Sequence, residues 1–185
     1  RTSYLAWKIH GKVTTGMSHF LFRPFMTKYT RLDRKTRHAA DMYINVLEQL
    51  GVTDVANHGL HIETCKEWND EVFRFYESQG VMPRDKIIGF NIGSAVPEKR
   101  WPAERFADVA DYFGNKGYKT VFFGGPMDLD MVKPVVEQMK TSPIVATGAF
   151  KLGPLAAAMK WCDLLITNDS GPMHVAISQG VPIVA

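Results

Sequence analysis

The sequence predicts an α/β chain whose second half is an open parallel sheet covered by helices on both faces. Short apolar runs recur from residue 86 onward: Ile87-Ile88-Gly89-Phe90-Asn91, Thr120-Val121-Phe122-Phe123, Ile144-Val145-Ala146 and Leu164-Leu165-Ile166-Thr167, with another beginning near Pro182. Segments with apolar residues at helical spacing lie between them, joined by short loops marked by Gly and Pro. Strands alternating with such helices build parallel βαβ units. The runs are apolar throughout rather than alternating, as befits strands buried on both sheet faces.

In chain order, Ser3 to His10 places Leu5, Ala6 and Ile9 on one helical face. Residues 14–37 carry no period and are rich in aromatics, with Phe20, Phe22, Phe25 and Tyr29. Arg37 to Leu50 predicts an amphipathic helix through Ala40, Tyr43, Ile44, Leu47 and Leu50, with Gly51 where a C-terminal cap glycine belongs. Residues 53–65 fit neither pattern, and Asn69 to Gln79 predicts a helix bounded by Gly80 and Pro83. Past the first buried run, Pro102 is expected at a first helical position, ahead of the stripe Phe106, Val109, Ala110, Phe113 and the terminating Gly117. Asp128 is expected to cap a helix reaching about Lys140, kinked at Pro134. Helices are expected over Pro154 to Trp161 and Pro172 to Gln179, the second closed by Gly180. The change of pattern divides the chain into residues 1–85 and residues 86–185.

Composition narrows the function. With 45% hydrophobic and 22% charged residues, the 185-residue chain has the makings of a packed core rather than disorder. No stretch approaches the roughly 20 apolar residues that span a bilayer. Residue 1 is Arg rather than an initiator Met, and Pro182 to Ala185 reads as a strand with no turn after it, so the chain is expected to be an internal segment cut at both ends. Cys65 and Cys162 stand far apart with no CxxC or Cys/His cluster, which argues against a disulfide framework and structural zinc and fits a reducing cytoplasm. Residues 1–40 gather Arg1, Lys8, Lys12, Arg23, Lys28, Arg31, Arg34, Lys35 and Arg37 against the acid Asp33. Such a cluster suits an anionic partner and a solvated surface equally. Nucleic acid is not the expected partner, because no recognisable helix or sheet module frames these cations.

Ligands of open parallel sheets bind beyond the carboxyl ends of the strands. Two loops there are unusual. Asn91 to Pro102 leaves a strand, offers Gly93 and Ser94, then Lys99 and Arg100, and enters a helix. Helix-start N–H groups and adjacent cations suit phosphate oxygens, although an ordinary solvated loop has the same composition. Thr167-Asn168-Asp169-Ser170-Gly171-Pro172-Met173-His174 sets polar groups directly after a buried strand and a His in the next helical turn. An Asp here can be a cap and a His structural; the combination at this edge reads as a site. Gly124-Gly125-Pro126 borders the same crevice as either a tight turn or part of it, and Asp128 beyond it suits a helix cap or ribose hydroxyls.

Together these segments resemble glycosyltransferase family 9, the ADP-heptose:lipopolysaccharide heptosyltransferases. The matching stretches are Asn91-Ile92-Gly93-Ser94 with Lys99-Arg100-Trp101-Pro102, then Phe123-Gly124-Gly125-Pro126, then Asn168-Asp169-Ser170-Gly171-Pro172-Met173-His174 with Gly180-Val181-Pro182. Arg1 to Gly16 and Arg37 to Gly51 resemble the latter part of that family's first domain more weakly. The resemblance implies a GT-B fold, two Rossmann-like domains facing across a cleft, both incomplete in this chain. It implies that residues 1–85 are the latter part of an N-terminal acceptor-side domain plus a linker, and residues 86–185 a C-terminal nucleotide-sugar-binding domain. It implies an inverting, metal-independent transfer of heptose from ADP-heptose, or a related nucleotide-sugar, to a lipopolysaccharide core acceptor, with no cofactor. Ser94 and Lys99, helped by Arg100, would contact the donor's diphosphate; Asp169 would hold donor sugar hydroxyls; Ser170, Gly171 and His174 would sit at the diphosphate and helix start. The protein would be cytoplasmic, with peripheral contact to the inner membrane through the basic stretch. Other readings are a GT-B enzyme using a UDP-sugar, a sugar-nucleotide epimerase, or a non-catalytic nucleotide- or sugar-binding module. The family's catalytic base is an acidic residue near the start of the first domain, so no residue here takes that role. The chain alone is therefore expected not to turn over, and detectable sugar transfer by it would overturn that expectation.

Overall fold

The computed structural model of the protein describes residues 2–18, 20–31, 35–36 and 38–185. Arg1, Asp33, Arg34 and Arg37 of the basic cluster lie outside the described residues. The chain forms two compact units, residues 1–59 and 60–185.

The first unit is small. Helix α1 (Thr2–Lys8) is followed by strand β1 (Met17–Ser18), a 3-10 turn at Phe20–Phe25, strand β2 (Thr30–Arg31) parallel to β1, and helix α2 (Ala39–Glu48). The aromatic stretch is thus not wholly irregular. Helix α2 starts at Ala39, because the imidazole Nδ1 of His38 accepts the Ala40 N–H at 3.3 Å and caps it. Gly51 terminates it at φ 84°, the left-handed position expected of a cap glycine. Buried Thr30 ties the short sheet to α2: its hydroxyl donates to Asn45 Oδ1 at 3.1 Å and accepts from Gln49 Nε2 at 2.7 Å. Tyr4 and Trp7 of α1 pack on Phe25, ring centroids 5.8 and 5.9 Å away.

The second unit begins with helix α3 (Lys66–Ser78), so the compact body starts well before Lys86. The reason is packing. Val72 and Tyr76 of α3 are fully buried, and the Tyr76 hydroxyl donates to the Ala158 carbonyl at 3.0 Å. The core elements are strand β3 (Ile87–Asn91), helix α4 (Ala103–Asn115), strand β4 (Lys119–Phe123), helix α5 (Leu129–Gln138), strand β5 (Ile144–Val145), helix α6 (Leu152–Met159), strand β6 (Leu164–Thr167), helix α7 (Gly171–Ser178) and strand β7 (Ile183–Val184). All strand pairs are parallel, in the order β5-β4-β3-β6-β7.

Two apolar layers sandwich the sheet. Helices α3, α6 and α7 cover one face through Tyr76, Ala156, Met159 and Ala176, packed on Ile87, Val121, Phe123 and Leu165. Helices α4 and α5 cover the other through Phe106, Ala110, Val132 and Val135, packed on Ile88, Phe90 and Phe122. Successive strand residues point to opposite faces, which is why the strands read as apolar throughout.

Several boundaries differ from the sequence expectation. Pro102 has an extended backbone (ψ 132°) and stands at the cap position, so α4 starts at Ala103. The segment Pro126–Asp128 is a 3-10 turn, and Asp128 does not cap α5: its Oδ2 turns back to accept the Gly125 N–H at 2.7 Å. Helix α7 begins at Gly171, with Pro172 inside its first turn, where a missing N–H costs nothing.

Gly89 stands in the central strand where a Cβ would lie 2.9 Å from Leu165 Cδ1 and 3.1 Å from Cys162 Sγ. The close passage of α6–β6 over β3 needs a residue without a side chain. Gly89→Ala is expected to lower unfolding stability by about 1–3 kcal/mol through overpacking, read as a lower urea midpoint at unchanged m-value. An unchanged midpoint would contradict this packing.

Candidate functional site

The strand order reverses at β3. From there the chain moves outward to β4 and β5, then returns to place β6 on the other side. The carboxyl ends of β3 and β6 therefore flank a topological switch point, where the loops leaving them diverge and open a crevice. The loops leaving them are 92–102 and 168–170, the two singled out from the sequence.

Buried asparagines lock these loops together. The register pairs Asn91 with Thr167 at the last rung of the β3–β6 ladder. Asn91 Nδ2 lies 3.1 Å from Thr167 Oγ1, 2.9 Å from Ser170 Oγ and 3.3 Å from the Gly93 carbonyl. Asn168 works the other way: its Nδ2 donates to the Ile92 carbonyl at 2.8 Å and its Oδ1 accepts the Trp101 N–H at 2.9 Å. Asn91 and Asn168 are 0% and 4% exposed. A buried amide is costly unless its polar atoms are paired, so each bond constrains where the loops run. Neither asparagine was among the residues chosen from sequence as ligand contacts. The available signal was an Asn closing each of two buried apolar runs.

The residues chosen from sequence are distributed around this lock. The Lys99 ammonium pairs with the Asp169 carboxylate, joining the two loops in the open part of the crevice, where both side chains are about half exposed. Arg100 Nε donates to the Ser94 carbonyl at 2.9 Å, which holds the guanidinium against its own loop. Ser94 is buried, and its hydroxyl accepts the Val96 N–H at 3.3 Å. Ser170 precedes α7 as its cap residue yet makes no side-chain cap bond to the helix. A Cβ on Gly171 would meet only open space, so the start of α7 is accessible to a ligand. His174 is exposed in the first turn of α7, and its field, like that of Lys99, acts on Asp169.

Beside the lock lies a cavity of about 640 Å³ whose lining includes Lys99, Trp101, Phe106, Ile166, Asn168 and Asp169. The glycines of the neighbouring loops make room for Asp128: a Cβ on Gly93 would lie 2.5 Å from Asp128 Oδ1, and one on Gly124 2.8 Å from Asp128 Oδ2. Asp128 thus braces the β3 and β4 loops against each other. Among the described residues, no group of three or more His, Cys, Asp and Glu side chains could hold a metal ion, and no helix is long and apolar enough to cross a membrane.

Lys99, Arg100 and Asp169 line this cavity, whereas Ser94, Ser170, Gly171 and His174 do not; two cations beside a carboxylate suit a ligand that combines phosphate with hydroxyl groups. A family model described as glycosyltransferase family 9 (heptosyltransferase) matches residues 1–185. The chain belongs to glycosyltransferase family 9. Its fold is of the GT-B type. The crystal structure of a family 9 glycosyl transferase from Veillonella parvula DSM 2008 is 81% identical and superposes on 100% of this chain and 53% of its own, with a TM-score of 0.88. The structure of E. coli ADP-heptose lps heptosyltransferase II, 21% identical, shares the fold over 100% of this chain and 58% of its own, with a TM-score of 0.77. Among curated proteins, lipopolysaccharide heptosyltransferase 2 of Salmonella typhimurium is 32% identical over 104 residues, 54% of this chain and 30% of that protein. The chain thus spans about half the length of the solved family members it matches.

The ion pair makes a testable statement about pH. Its hydrogen bond and charge from Lys99, aided by His174, hold the Asp169 carboxyl below its ordinary value. A depressed carboxylate pKa means that the pairing is present above the unfolded-state pKa and is lost as pH falls through the folded one. An NMR titration of Asp169 is expected to show a midpoint below about 3.9, returning toward that value in Lys99→Ala. Identical midpoints in both proteins would mean that the pair does not form in solution.

Proposed function

We propose that residues 60–185 are the nucleotide-sugar-binding part of a heptosyltransferase, and residues 1–59 part of its acceptor-side domain. The reaction is an inverting transfer of heptose from ADP-heptose to a lipopolysaccharide core acceptor. One observation carries this reading: Asn91 and Asn168 lock the loops at the switch point together, so that Lys99, Arg100 and Asp169 line one cavity and Ser170, just before α7, is tied to the same lock.

The chemistry of such a transfer matches the groups present. The acceptor hydroxyl attacks the anomeric carbon from the face opposite the diphosphate, the bond from that carbon to the phosphate oxygen breaks, and negative charge grows on the departing nucleoside diphosphate. Without a metal, that charge is met by Lys99, by Arg100 and by N–H groups at the start of α7. Ser94 would contact the same diphosphate, and His174 would stand at its edge in the first turn of α7. Asp169, a carboxylate on an open edge, accepts hydrogen bonds from sugar hydroxyls. Lys99 then lies between sugar-binding carboxylate and diphosphate, a position from which it serves both. A catalytic base takes the proton of the acceptor hydroxyl; none of the residues assembled around this crevice is assigned to that step.

The remaining assignments follow from the same reading. The acceptor is an anionic glycolipid, which suits the cations Lys8, Lys12, Arg23 and Lys28 of the first unit. Work on such an acceptor puts the protein in the cytoplasm at the inner membrane.

Calorimetric titration of the chain with ADP and with UDP, repeated with Lys99→Ala, tests the proposal. ADP is expected to bind, and the variant to bind roughly tenfold or more weakly, as loss of a charge-assisted phosphate contact predicts. Preference for UDP would keep the site but change the donor. Binding of neither nucleotide would defeat the reading.

A further inference from the structure

Asn91 is the least exposed polar side chain at the switch point, and its hydrogen bonds have a direction that can be worked out. The Gly93 carbonyl can only accept, so the amide nitrogen faces it. The Thr167 hydroxyl donates to the Asn168 carbonyl at 2.8 Å, so toward Asn91 it also accepts. Both neighbours fix the same orientation of the amide, and its two hydrogens serve three acceptors: Ser170, the shortest contact at 2.9 Å, takes one, and Thr167 and Gly93 share the other. Its Oδ1 is buried and has no protein partner.

The consequence falls on Ser170. Its Oγ stands 2.9 Å from the Asn91 nitrogen. An amide nitrogen donates and does not accept, so in this contact the serine oxygen is the acceptor. Its proton is left over. Ser170 makes no side-chain cap bond to α7, and no other protein acceptor for this proton is found among the described residues. A hydroxyl that accepts from a buried donor is a better donor in turn, because the two bonds polarise each other.

We propose that Asn91 is a positioning residue. It holds the Ser170 hydroxyl with its proton turned outward, as a dedicated donor to an anionic oxygen at the start of α7. The inference rests on the nucleotide reading above and adds to it the residue that sets the polarity of the serine. It makes Asn91 act on ligand through Ser170.

The test is a double-mutant cycle on ADP affinity measured by calorimetry with the whole chain, using Asn91→Ala, Ser170→Ala and the double variant, each accompanied by a thermal midpoint. Ser170→Ala is expected to weaken ADP binding roughly tenfold, the scale of one hydrogen bond to a charged oxygen. Asn91→Ala should cost a similar factor in the parent and less than about twofold in the Ser170→Ala background. Asn91→Asp, nearly isosteric, should be worse than Asn91→Ala, because a carboxylate would capture the serine proton and oppose the anion. A loss on Asn91→Ala that is equal in both backgrounds would overturn the proposal, since a general loosening of the loops needs no serine. Unchanged ADP binding by Ser170→Ala would overturn it as well, however the Asn91 variants fold. If the parent chain binds neither ADP nor UDP, the nucleotide reading fails and this inference with it, whereas a parent that binds and a Ser170→Ala chain that binds equally well defeats this inference alone.

Discussion

The β3–β6 ladder is the constraint from which the site follows. Its register runs from Ile88 opposite Leu164 to Asn91 opposite Thr167. At the last rung both strands end together, so the loops leaving them start side by side at the sheet's carboxyl edge. A slip of one residue would send Asn91 to the opposite face and bring an apolar side chain to the rung that now carries the polar lock. The apolar faces forbid that slip, because Phe90 and Ile88 would then exchange places with Ile87 and Gly89 between two different helix layers. Core packing therefore sets the register, and the register sets the chemistry.

On that frame the buried asparagines do different work. Asn168 sews the β3 loop to the β6 loop through main-chain groups at Ile92 and Trp101, so it fixes where the loop carrying Lys99 lies. Asn91 reaches side chains as well, Thr167 and Ser170, so it fixes how a hydroxyl points. The exposed Lys99–Asp169 pair sits outside this lock. An exposed ion pair contributes little to stability, which leaves Lys99 free to exchange partners when an anion arrives. A rigid polar interior with a labile charged rim is a sensible division for a site that must take up and release a charged ligand.

Much of this was legible in the sequence. Apolar runs spaced by amphipathic segments announced the parallel sheet, and Gly51, Gly117 and Gly180 marked helix ends that the structure places at φ 84°, 85° and 73°. The place of the two crevice loops at the sheet's carboxyl edge was legible too, because each directly follows a buried apolar run. The misses have physical causes. Asp128 looked like a helix cap, but its carboxylate found a closer donor in Gly125 and a space left by Gly93 and Gly124. Pro102 satisfied the rule for a first helical residue, yet the Trp101 N–H beside it is held by Asn168, and that tertiary bond keeps the chain extended for one residue more. Helix α3 joins the second compact unit, ahead of the change of pattern at residue 86, because it carries its own amphipathic signal and no local pattern says which sheet it will cover.

What the sequence determined by itself is what depends on short range: the alternation of strands and helices, the glycines demanded by left-handed backbone, and the chemical inventory of the loops. What only the tertiary structure decided is which of those residues meet. Ser170 and Asn91 are separated by most of the second unit in sequence, as are Asn168 and Trp101. Their contacts exist because β6 returns across β3 to pair on its far side, and strand order is a property of how helices cover a sheet, which no local run of residues encodes. The direction of the Asn91 amide is settled later still, by which of its neighbours have a proton to give.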